Sequence, residues 1–270
     1  MAPPPIIPDS PSTVSVSAIH ADGWAYKVPC AGLFNPTYKG LDVLDFCSYS
    51  FLVCHGEGKT KQNVLFDLGI RKDWENLPPH IVRKLLEWGT ELRIGQHVAE
   101  NLQENGFQLK DLDAIIWSHL HWDHTGSPSK FPPSAKLIFG PGIASKFMPG
   151  WPAVPSAGFR EVDLAGREVV GLEEPDFTLN VGGFGAIDYF GDGSFYLLNA
   201  PGHSIGHLNA LARTTSNPDT FILLAADSVH LGGELRPTEA LPLPNSIDVQ
   251  GIVPRPCPIE DMLQLHRSWA

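Results

Sequence analysis

Three histidines and one aspartate lie within six positions of the sequence, at His119, His121, Asp123 and His124. At the end of an extended strand, successive side chains point to opposite sides, so His119 and His121 share one side. A turn after them can bring Asp123 and His124 back toward the same point. Imidazole nitrogens and carboxylate oxygens suit zinc, and iron or manganese accept much the same donors. The spacing therefore predicts a metal site, and an open ligand position for water is typical of catalysis.

The elements that must position this cluster are indicated by apolar runs. The run Ala114–Trp117 is apolar throughout, comes after a helical pattern and leads directly into the histidines. Two later runs, 194–204 and 220–230, also change from apolar residues to polar or histidine-bearing ones. Ligand sites in α/β sheets commonly lie at the carboxyl ends of strands. We therefore expect three strand ends to carry the ligand-type side chains.

Hydrophobic periodicity predicts the remaining elements. These are a strand at 14–21, a hairpin formed by 47–56 and 61–69, a strand at 135–140, and helices at 79–88 and 95–105. Gly106 is expected to end the second helix, because glycine readily takes the left-handed conformation that follows a helix. The proline-rich segment 147–159 lies between predicted strands and is the best candidate for a substrate-facing loop.

Composition limits the classes of partner. The chain has 270 residues, of which 19 are basic and 30 acidic, for a net charge of −11. Such a surface, without a lysine- or arginine-rich run, repels a phosphate backbone, so no nucleic-acid partner is expected. No apolar stretch approaches the roughly 18 residues of a membrane span, and the first residues lack the features of a secretory signal. We predict a flexible tail over 1–13, one domain over 14–270 and a cytoplasmic location with reduced cysteines.

Four segments resemble, in order, the motifs of the metallo-β-lactamase superfamily. The segment His119–His124 is similar to its HxHxDH signature, and Asp67 stands where that family has an aspartate that orients the metal-binding loop without ligating. The segment Pro201–His207 resembles its PGHxxGH motif, and Asp227 matches its metal-bridging aspartate. The resemblance covers about 67 to 230 and implies an α/β (α+β) fold, a four-layer αββα sandwich.

The resemblance also implies a ligand set for two zinc ions. It consists of His119, His121 and His203 for one ion, Asp123 and His124 for the second, and Asp227 between the two. Two such ions can bridge a hydroxide, lower the pKa of its parent water and polarise a carbonyl. Asp123 is also a catalytic candidate, because it could accept a proton and later deliver it to the leaving atom. His207 is expected to support the ligands by hydrogen bonding.

The chain departs from the family pattern after Asp227. Binuclear members supply one more histidine from a later strand, whereas only His230 and His266 follow Asp227 here. We therefore expect the sandwich to lack its final strand and helix, and we leave open whether a second zinc ion binds. His230 stands where N-acyl homoserine lactonases have a tyrosine that helps to bind and activate the substrate carbonyl. It is expected either to serve as a catalytic hydrogen-bond or proton donor, or only to end a strand near the site.

The activity that the resemblance implies is hydrolysis of a small lactone or lactam ring by a zinc-bound hydroxide. An acyl homoserine lactone, a lactone toxin and a benzoxazolinone-type cyclic carbamate are all admissible substrates. Hydrolysis of a thioester, or sulfur oxidation at a single iron, is the alternative within enzymes. A catalytically weakened metal-binding protein is the alternative outside them. The expected partner is a small molecule, and a homodimer is left open.

Overall fold

The computed structural model describes most of the chain, namely residues 6–34, 37, 40–235, 238–239, 242, 246–247 and 257–258. The chain forms two compact units, of which the first is Pro5–Ser228. The second contains the described residues from Val229 onward. Within it, the short strand Ser246–Ile247 pairs antiparallel with Cys257–Pro258. His266 lies outside the described residues.

The first unit is built mainly from strands, with short helices between them. Its strands are β1 (Val14–Ile19), β2 (Gly23–Pro29), β3 (Val43–Cys47), β4 (Ser50–His55), β5 (Gln62–Phe66), β6 (Glu91–Ile94), β7 (Ala114–Trp117), β8 (Lys136–Phe139), β9 (Val169–Gly171), β10 (Leu179–Val181), β11 (Phe184–Asp188), β12 (Phe195–Asn199), β13 (Leu208–Thr215) and β14 (Thr220–Leu224). Its α-helices are α1 (Pro79–Glu87), α2 (Val98–Glu104), α3 (Trp122–Thr125), α4 (Ile143–Phe147) and α5 (Glu161–Leu164). Among the described residues, no helix is long and apolar enough to cross a membrane.

The larger sheet has the strand order β1-β4-β5-β7-β8-β9. Strand β4 pairs antiparallel with β1 and β5, whereas β5, β7, β8 and β9 run parallel. In the parallel register, Phe66 is the partner of Ile116, and Trp117 is the partner of Phe139. Because the carboxyl ends of parallel strands lie at one edge of a sheet, the residues that follow Phe66 and Trp117 meet there.

The smaller sheet is antiparallel and has the order β10-β11-β12-β13-β14. Strands β12 and β14 both pair with β13, so they run in the same direction and end at the same edge. Asn199 and Leu208 are register partners, and the PGHxxGH loop connects them. The backbone N–H of Leu208 donates to the carbonyl oxygen of Ser118 at 2.8 Å. This bond joins the smaller sheet to the carboxyl edge of the larger one.

Apolar side chains on both faces of the larger sheet form the core. Between the sheets, Phe66 and Ile116 belong to one buried cluster with Leu197 and Leu208 of the smaller sheet. On the opposite face, Trp117 belongs to a second cluster that includes side chains of α2, α4 and α5. Each fully buried side chain of this size contributes about 1.5–3 kcal/mol to folding. The strands that lead to the predicted site are therefore held from both sides.

The predicted α/β class is confirmed, and the main elements lie where periodicity placed them. The strand at Ala114–Trp117 has the predicted bounds, and the helices at 79–88 and 95–105 occupy Pro79–Glu87 and Val98–Glu104. Gly106 follows the second helix with a φ of +83°, which is the left-handed conformation expected there. These elements were predictable because each depends on a local apolar pattern with a clear stop signal.

A third sheet, of order β3-β2-β6, packs beside the histidine segment. Its apolar cluster includes Ala25, Ile70 and Trp122, and the rings of Phe46 and Trp122 lie 6.1 Å apart. In the sequence, Trp122 lies between His121 and Asp123. This small sheet therefore supports the turn that carries the motif.

The predicted tail, residues 1–13, includes described residues that contact the smaller sheet. The buried guanidinium of Arg213 donates to the carbonyl oxygen of Pro8 at 2.5 Å, and Ser10 Oγ donates to the carbonyl oxygen of Asp192. Pro8 and Ser10 therefore lie within the first unit, in contact with Arg213 and Asp192. The boundary between tail and domain at residue 14 stays a prediction.

Candidate metal centre

Three histidine side chains from two loops converge on one point. Nε2 of His203 lies 2.8 Å from Nδ1 of His121 and 3.2 Å from Nε2 of His119. Oδ2 of Asp227 completes the group, at 3.3 Å from His203 Nε2 and 3.6 Å from His119 Nε2. One ligand atom from each of the four residues lies within 4.8 Å of the other three. We call this the histidine cluster.

The spacing of these nitrogens fits a tetrahedral metal ion. Zinc binds an imidazole nitrogen at about 2.0–2.1 Å, so two nitrogens on one tetrahedral zinc lie about 3.3 Å apart. A hydrogen bond joins a single pair of nitrogens, whereas Nε2 of His203 faces both of its neighbours. The donor set and its geometry therefore match a shared cation better than a chain of hydrogen-bonded histidines.

The other carboxylate oxygen of Asp227 faces a second group. Its Oδ1 lies 3.0 Å from Nε2 of His124, which lies 3.6 Å from Oδ2 of Asp123. Asp123, His124 and Asp227 have the spacing of metal ligands, and we call them the acidic cluster. One carboxylate thus presents one oxygen to each cluster, as a ligand that bridges two metal ions would.

The electrostatics differ between the two clusters. Burial, reinforced by neighbouring histidines, lowers the pKa of His119 well below 6.5 and that of His121 to about 4. Both rings are therefore neutral at pH 7, the state in which imidazole binds metal. Burial raises the pKa of Asp123 to about 6. At His124, burial acts against three neighbouring carboxylates, Asp123 foremost, which prevail and raise its pKa well above 6.5. The acidic cluster therefore favours a positive charge.

The turn from strand β7 into helix α3 directs the histidine motif toward both clusters. Trp117 Nε1 donates to the carbonyl oxygen of Thr125 at 3.0 Å, which closes the turn on its buried side. The backbone N–H of Leu68 donates to the carbonyl oxygen of His124 at 2.8 Å and ties the turn to the loop after β5. Asp67 in that loop has a φ of +60°, a left-handed conformation that reverses the chain.

Asp67 holds the motif through a buried hydrogen-bond network. Its Oδ1 accepts the backbone N–H of Ser118, and its Oδ2 accepts the Ser118 hydroxyl, each at 2.7 Å. The same Oδ2 lies 2.7 Å from Nδ1 of His124, and Ser118 Oγ lies 2.9 Å from Nδ1 of His119. Asp67 thus acts on the Nδ1 side of both rings, directly at His124 and through Ser118 at His119, which leaves both Nε2 atoms for the clusters.

His207 uses both ring nitrogens for support. Its Nδ1 lies 2.9 Å from the carbonyl oxygen of Ala200, to which it donates. Its Nε2 accepts the backbone N–H of Asp227 at 3.2 Å. Burial lowers the pKa of His207, which favours this neutral ring with one donor and one acceptor. The ring therefore ties the loop that carries His203 to the residue that faces both clusters.

Three glycines lie directly against the backbone of the loops that carry the clusters. A Cβ atom would lie 2.5 Å from the carbonyl oxygen of Leu68 at Gly126, 2.3 Å from that of Leu120 at Gly158, and 2.1 Å from that of Gly206 at Gly140. Real Cβ atoms essentially never make contacts under 3.0 Å. Any larger residue at these positions must therefore displace a loop of the site.

The structure brings all six predicted ligand residues together. They are His119, His121, Asp123, His124, His203 and Asp227. Ser118 and the three glycines were not predicted to serve the site. No local spacing could have indicated Ser118, because its contact with Asp67 joins residues 51 positions apart. The seventh predicted site residue, His230, belongs to the second unit, and its catalytic role stays a prediction.

The predicted substrate-facing loop, 147–159, has a buried end. Phe159 is 1% exposed, and its ring centroid lies 5.5 Å from that of Trp117. Ala157 is also fully buried in the same cluster. This end of the loop therefore belongs to the core behind the histidine motif, and a contact of the remainder with substrate stays a prediction.

Comparison with protein families places the chain in one superfamily. The family model described as Metallo-beta-lactamase superfamily matches residues 45–239, which include every member of both clusters. The chain belongs to the metallo-beta-lactamase superfamily. The resemblance to this superfamily that the sequence predicted is thus confirmed.

Similar curated proteins include two gamma-lactamases. The chain is 44% identical over 250 residues to a gamma-lactamase of Fusarium pseudograminearum, and the match covers 92% of the chain and 60% of that protein. It is 44% identical over 206 residues to a gamma-lactamase of Gibberella moniliformis, and that match covers 75% of the chain and 86% of that protein. The chain thus spans about 60% of the length of the first of these superfamily members.

A solved structure of similar fold is an N-acyl homoserine lactone hydrolase with the product N-hexanoyl-L-homoserine bound at its catalytic metal center. It shares 18% sequence identity and a TM-score of 0.59, and the match covers 84% of this chain and 79% of that chain. At this identity the likeness shows the fold of the superfamily.

Proposed function

We propose that this chain is a zinc-dependent hydrolase that opens a small lactam or lactone ring. The observation that carries the proposal is Asp227, whose two carboxylate oxygens face two separate donor clusters. The gamma-lactamase relatives make a lactam the first choice of substrate. A lactone is the second choice, because attack of water on the ring carbonyl opens either ring.

The two clusters divide the chemistry between them. The histidine cluster would hold one zinc ion and the acidic cluster a second, with Asp227 in both. When bound, such ions lower the pKa of water to about 7 and polarise a carbonyl. In the reaction, one water adds across the C–N or C–O bond of the ring, and the leaving atom gains a proton. We expect the Asp123 carboxylate, whose Oδ2 lies 3.6 Å from His124 Nε2, to accept a proton from the attacking water and deliver it to the leaving atom.

His230 remains the second catalytic candidate. It follows Asp227 by three positions in the sequence, and the role we propose for its imidazole is a hydrogen bond to the substrate carbonyl oxygen as negative charge develops on it. We expect His230→Phe to lower kcat while leaving the metal content unchanged, and His230→Gln to retain part of the activity. Equal activity of His230→Phe and the wild type would remove His230 from the mechanism.

The test combines metal content with a panel of γ-lactams, lactones and thioesters. The purified chain should hold close to two equivalents of zinc, and it should lose hydrolysis on chelation and regain it on adding zinc. His119→Ala and Asp227→Asn should each reduce both metal content and hydrolysis. His20→Ala removes a histidine outside both clusters and should change neither.

Three results would contradict the proposal. Hydrolysis that is unchanged in both site variants would show that the clusters do not carry the activity. One equivalent of iron, with oxygen consumption on a persulfide, would favour sulfur oxidation. Preference for a thioester over every ring in the panel would favour the alternative hydrolase.

A further inference from the structure

We propose that the hydroxyl of Ser118 is a positioning group that fixes the tautomer of His119 and thereby the affinity of the histidine cluster for metal. This role rests on the metal-dependent function proposed above. The acidic cluster does not depend on this hydroxyl in the same way, because His124 bonds directly to Asp67. Ser118 should therefore act on one metal position and leave the other largely intact.

Counting protons assigns the direction of each hydrogen bond. The carboxylate of Asp67 can only accept, so the single hydroxyl proton of Ser118 points to Asp67 Oδ2 at 2.7 Å. Ser118 Oγ then has only lone pairs left for Nδ1 of His119 at 2.9 Å. That nitrogen must carry the proton of the neutral ring. The lone pair of His119 consequently resides on Nε2, the atom that faces His203 and Asp227.

Burial removes solvent as an alternative partner for Nδ1 of His119. Ser118 and His119 are both 0% exposed, and Asp67 is 3% exposed, so solvent does not reach these groups. If the hydroxyl were absent, Nδ1–H of His119 would lose its acceptor. A buried donor without an acceptor costs free energy, so the tautomer with the proton on Nε2 would become more favourable. An imidazole with a proton on Nε2 cannot bind metal through that atom. The hydroxyl thus selects the metal-binding tautomer before any ion arrives.

The two clusters receive unequal support from the same carboxylate. Nδ1 of His124 lies 2.7 Å from Asp67 Oδ2 but 3.4 Å from Ser118 Oγ, so its main bond survives loss of the hydroxyl. His119 reaches Asp67 only through Ser118. Ser118→Ala should therefore weaken one of two metal positions, whereas Asp67→Ala should weaken both.

The first experiment titrates the metal-free chain with zinc against a competing chelator. Loss of a hydrogen bond behind a metal-binding histidine typically lowers metal affinity by about 10–100-fold. We expect a loss of that size for one zinc equivalent in Ser118→Ala and recovery in Ser118→Thr, which restores a hydroxyl. Ser50→Ala is the matched control, because Ser50 is also 0% exposed and its hydroxyl has no hydrogen-bond partner among the described residues. Circular dichroism checks that each variant is folded.

The second experiment needs no metal and no activity. Nitrogen-15 NMR of the metal-free wild type at pH 7.5 reports which ring nitrogen of His119 carries the proton, and His119→Ala identifies the signals. We expect the Nδ1–H tautomer in the wild type and a shift toward Nε2–H in Ser118→Ala.

The outcomes separate this inference from the proposed function. If the wild type binds zinc but Ser118→Ala binds both equivalents equally well, the positioning role is wrong and the metal-dependent function stands. If the wild type binds no zinc, the proposed function fails, while the NMR result still decides the tautomer. An Nε2–H tautomer in the wild type would overturn the role of Ser118 on its own.

Discussion

Replacing Gly140 with alanine should displace the loop that carries His203. A Cβ atom at Gly140 would lie 2.1 Å from the carbonyl oxygen of Gly206 and 3.0 Å from Leu208 Cδ2. Ordinary contacts begin at 3.4 Å, so the carbonyl oxygen must retreat by about 1.3 Å, the difference between the two distances. Gly206 stands between His203 and His207 in the chain. The whole PGHxxGH loop must therefore move or strand β8 must shift.

The size of this displacement decides which property suffers most. Overpacking of this kind costs about 1–3 kcal/mol of folding free energy, which most folded domains survive. Metal–ligand distances, in contrast, tolerate only about ±0.2 Å. A shift of about 1.3 Å near His203 is therefore several times larger than the histidine cluster can accept. We expect Gly140→Ala to lose metal affinity well before it loses its fold.

The assay measures zinc affinity and urea unfolding on the same samples. Gly23→Ala is the matched control, because a Cβ at Gly23 meets its nearest atom at an ordinary 3.6 Å. The control should retain the wild-type zinc affinity. If Gly140→Ala also retains it, the loop adapts without moving His203, and the reasoning from contact to metal binding is refuted.

Two other perturbations test the hydrogen bond of His207 to Asp227 and the contacts of Asp73 in the segment after β5. His207→Phe keeps a ring in place but removes the acceptor of the Asp227 N–H, so the variant should retain less metal on dialysis; unchanged retention would contradict this. Burial raises the pKa of Asp73, yet hydrogen bonds from Arg71 and Asn76 outweigh it and lower the pKa from 3.8 to about 2. A depressed pKa means that the ionised group stabilises the fold above about pH 4 and that this contribution is lost as the pH falls through about 2. The difference in free energy of unfolding between the wild type and Asp73→Asn should therefore shrink as the pH falls from about 4 to about 2. A constant difference would show that the ion pair of Asp73 with Arg71 does not stabilise the fold.

The residues of the two clusters could be predicted because each one lies on a segment that follows the carboxyl end of a strand. An apolar run such as Ala114–Trp117 fixes where the backbone becomes buried, and the polar residues after it must then lie at the sheet edge. The same reasoning places His203 after β12 and Asp227 after β14. The local sequence therefore determined which side chains follow a strand end. The topology of the sheets then brings these strand ends to one edge.

The supporting contacts could not be predicted because they join residues far apart in the chain. The hydrogen bond from Ser118 to Asp67 spans 51 positions, and the bond from the Asp227 N–H to His207 spans 20. Neither pair has a spacing that a local pattern would reveal. Likewise, a glycine such as Gly158 looks like an ordinary loop residue until the carbonyl of Leu120 is found against it.

The three tight glycines explain how loops can hold a centre that tolerates so little movement. Loops are ordinarily the more mobile and variable part of a fold, whereas a metal ion requires its ligands to stay within about 0.2 Å. At Gly126, Gly140 and Gly158 the backbone of one segment touches the carbonyl of another with no side chain between them. Each loop thus contacts a neighbouring segment that cannot easily move away, because close-packed protein interiors transmit displacement. The precision of the imidazole and carboxylate groups therefore depends on residues that have no side-chain chemistry at all.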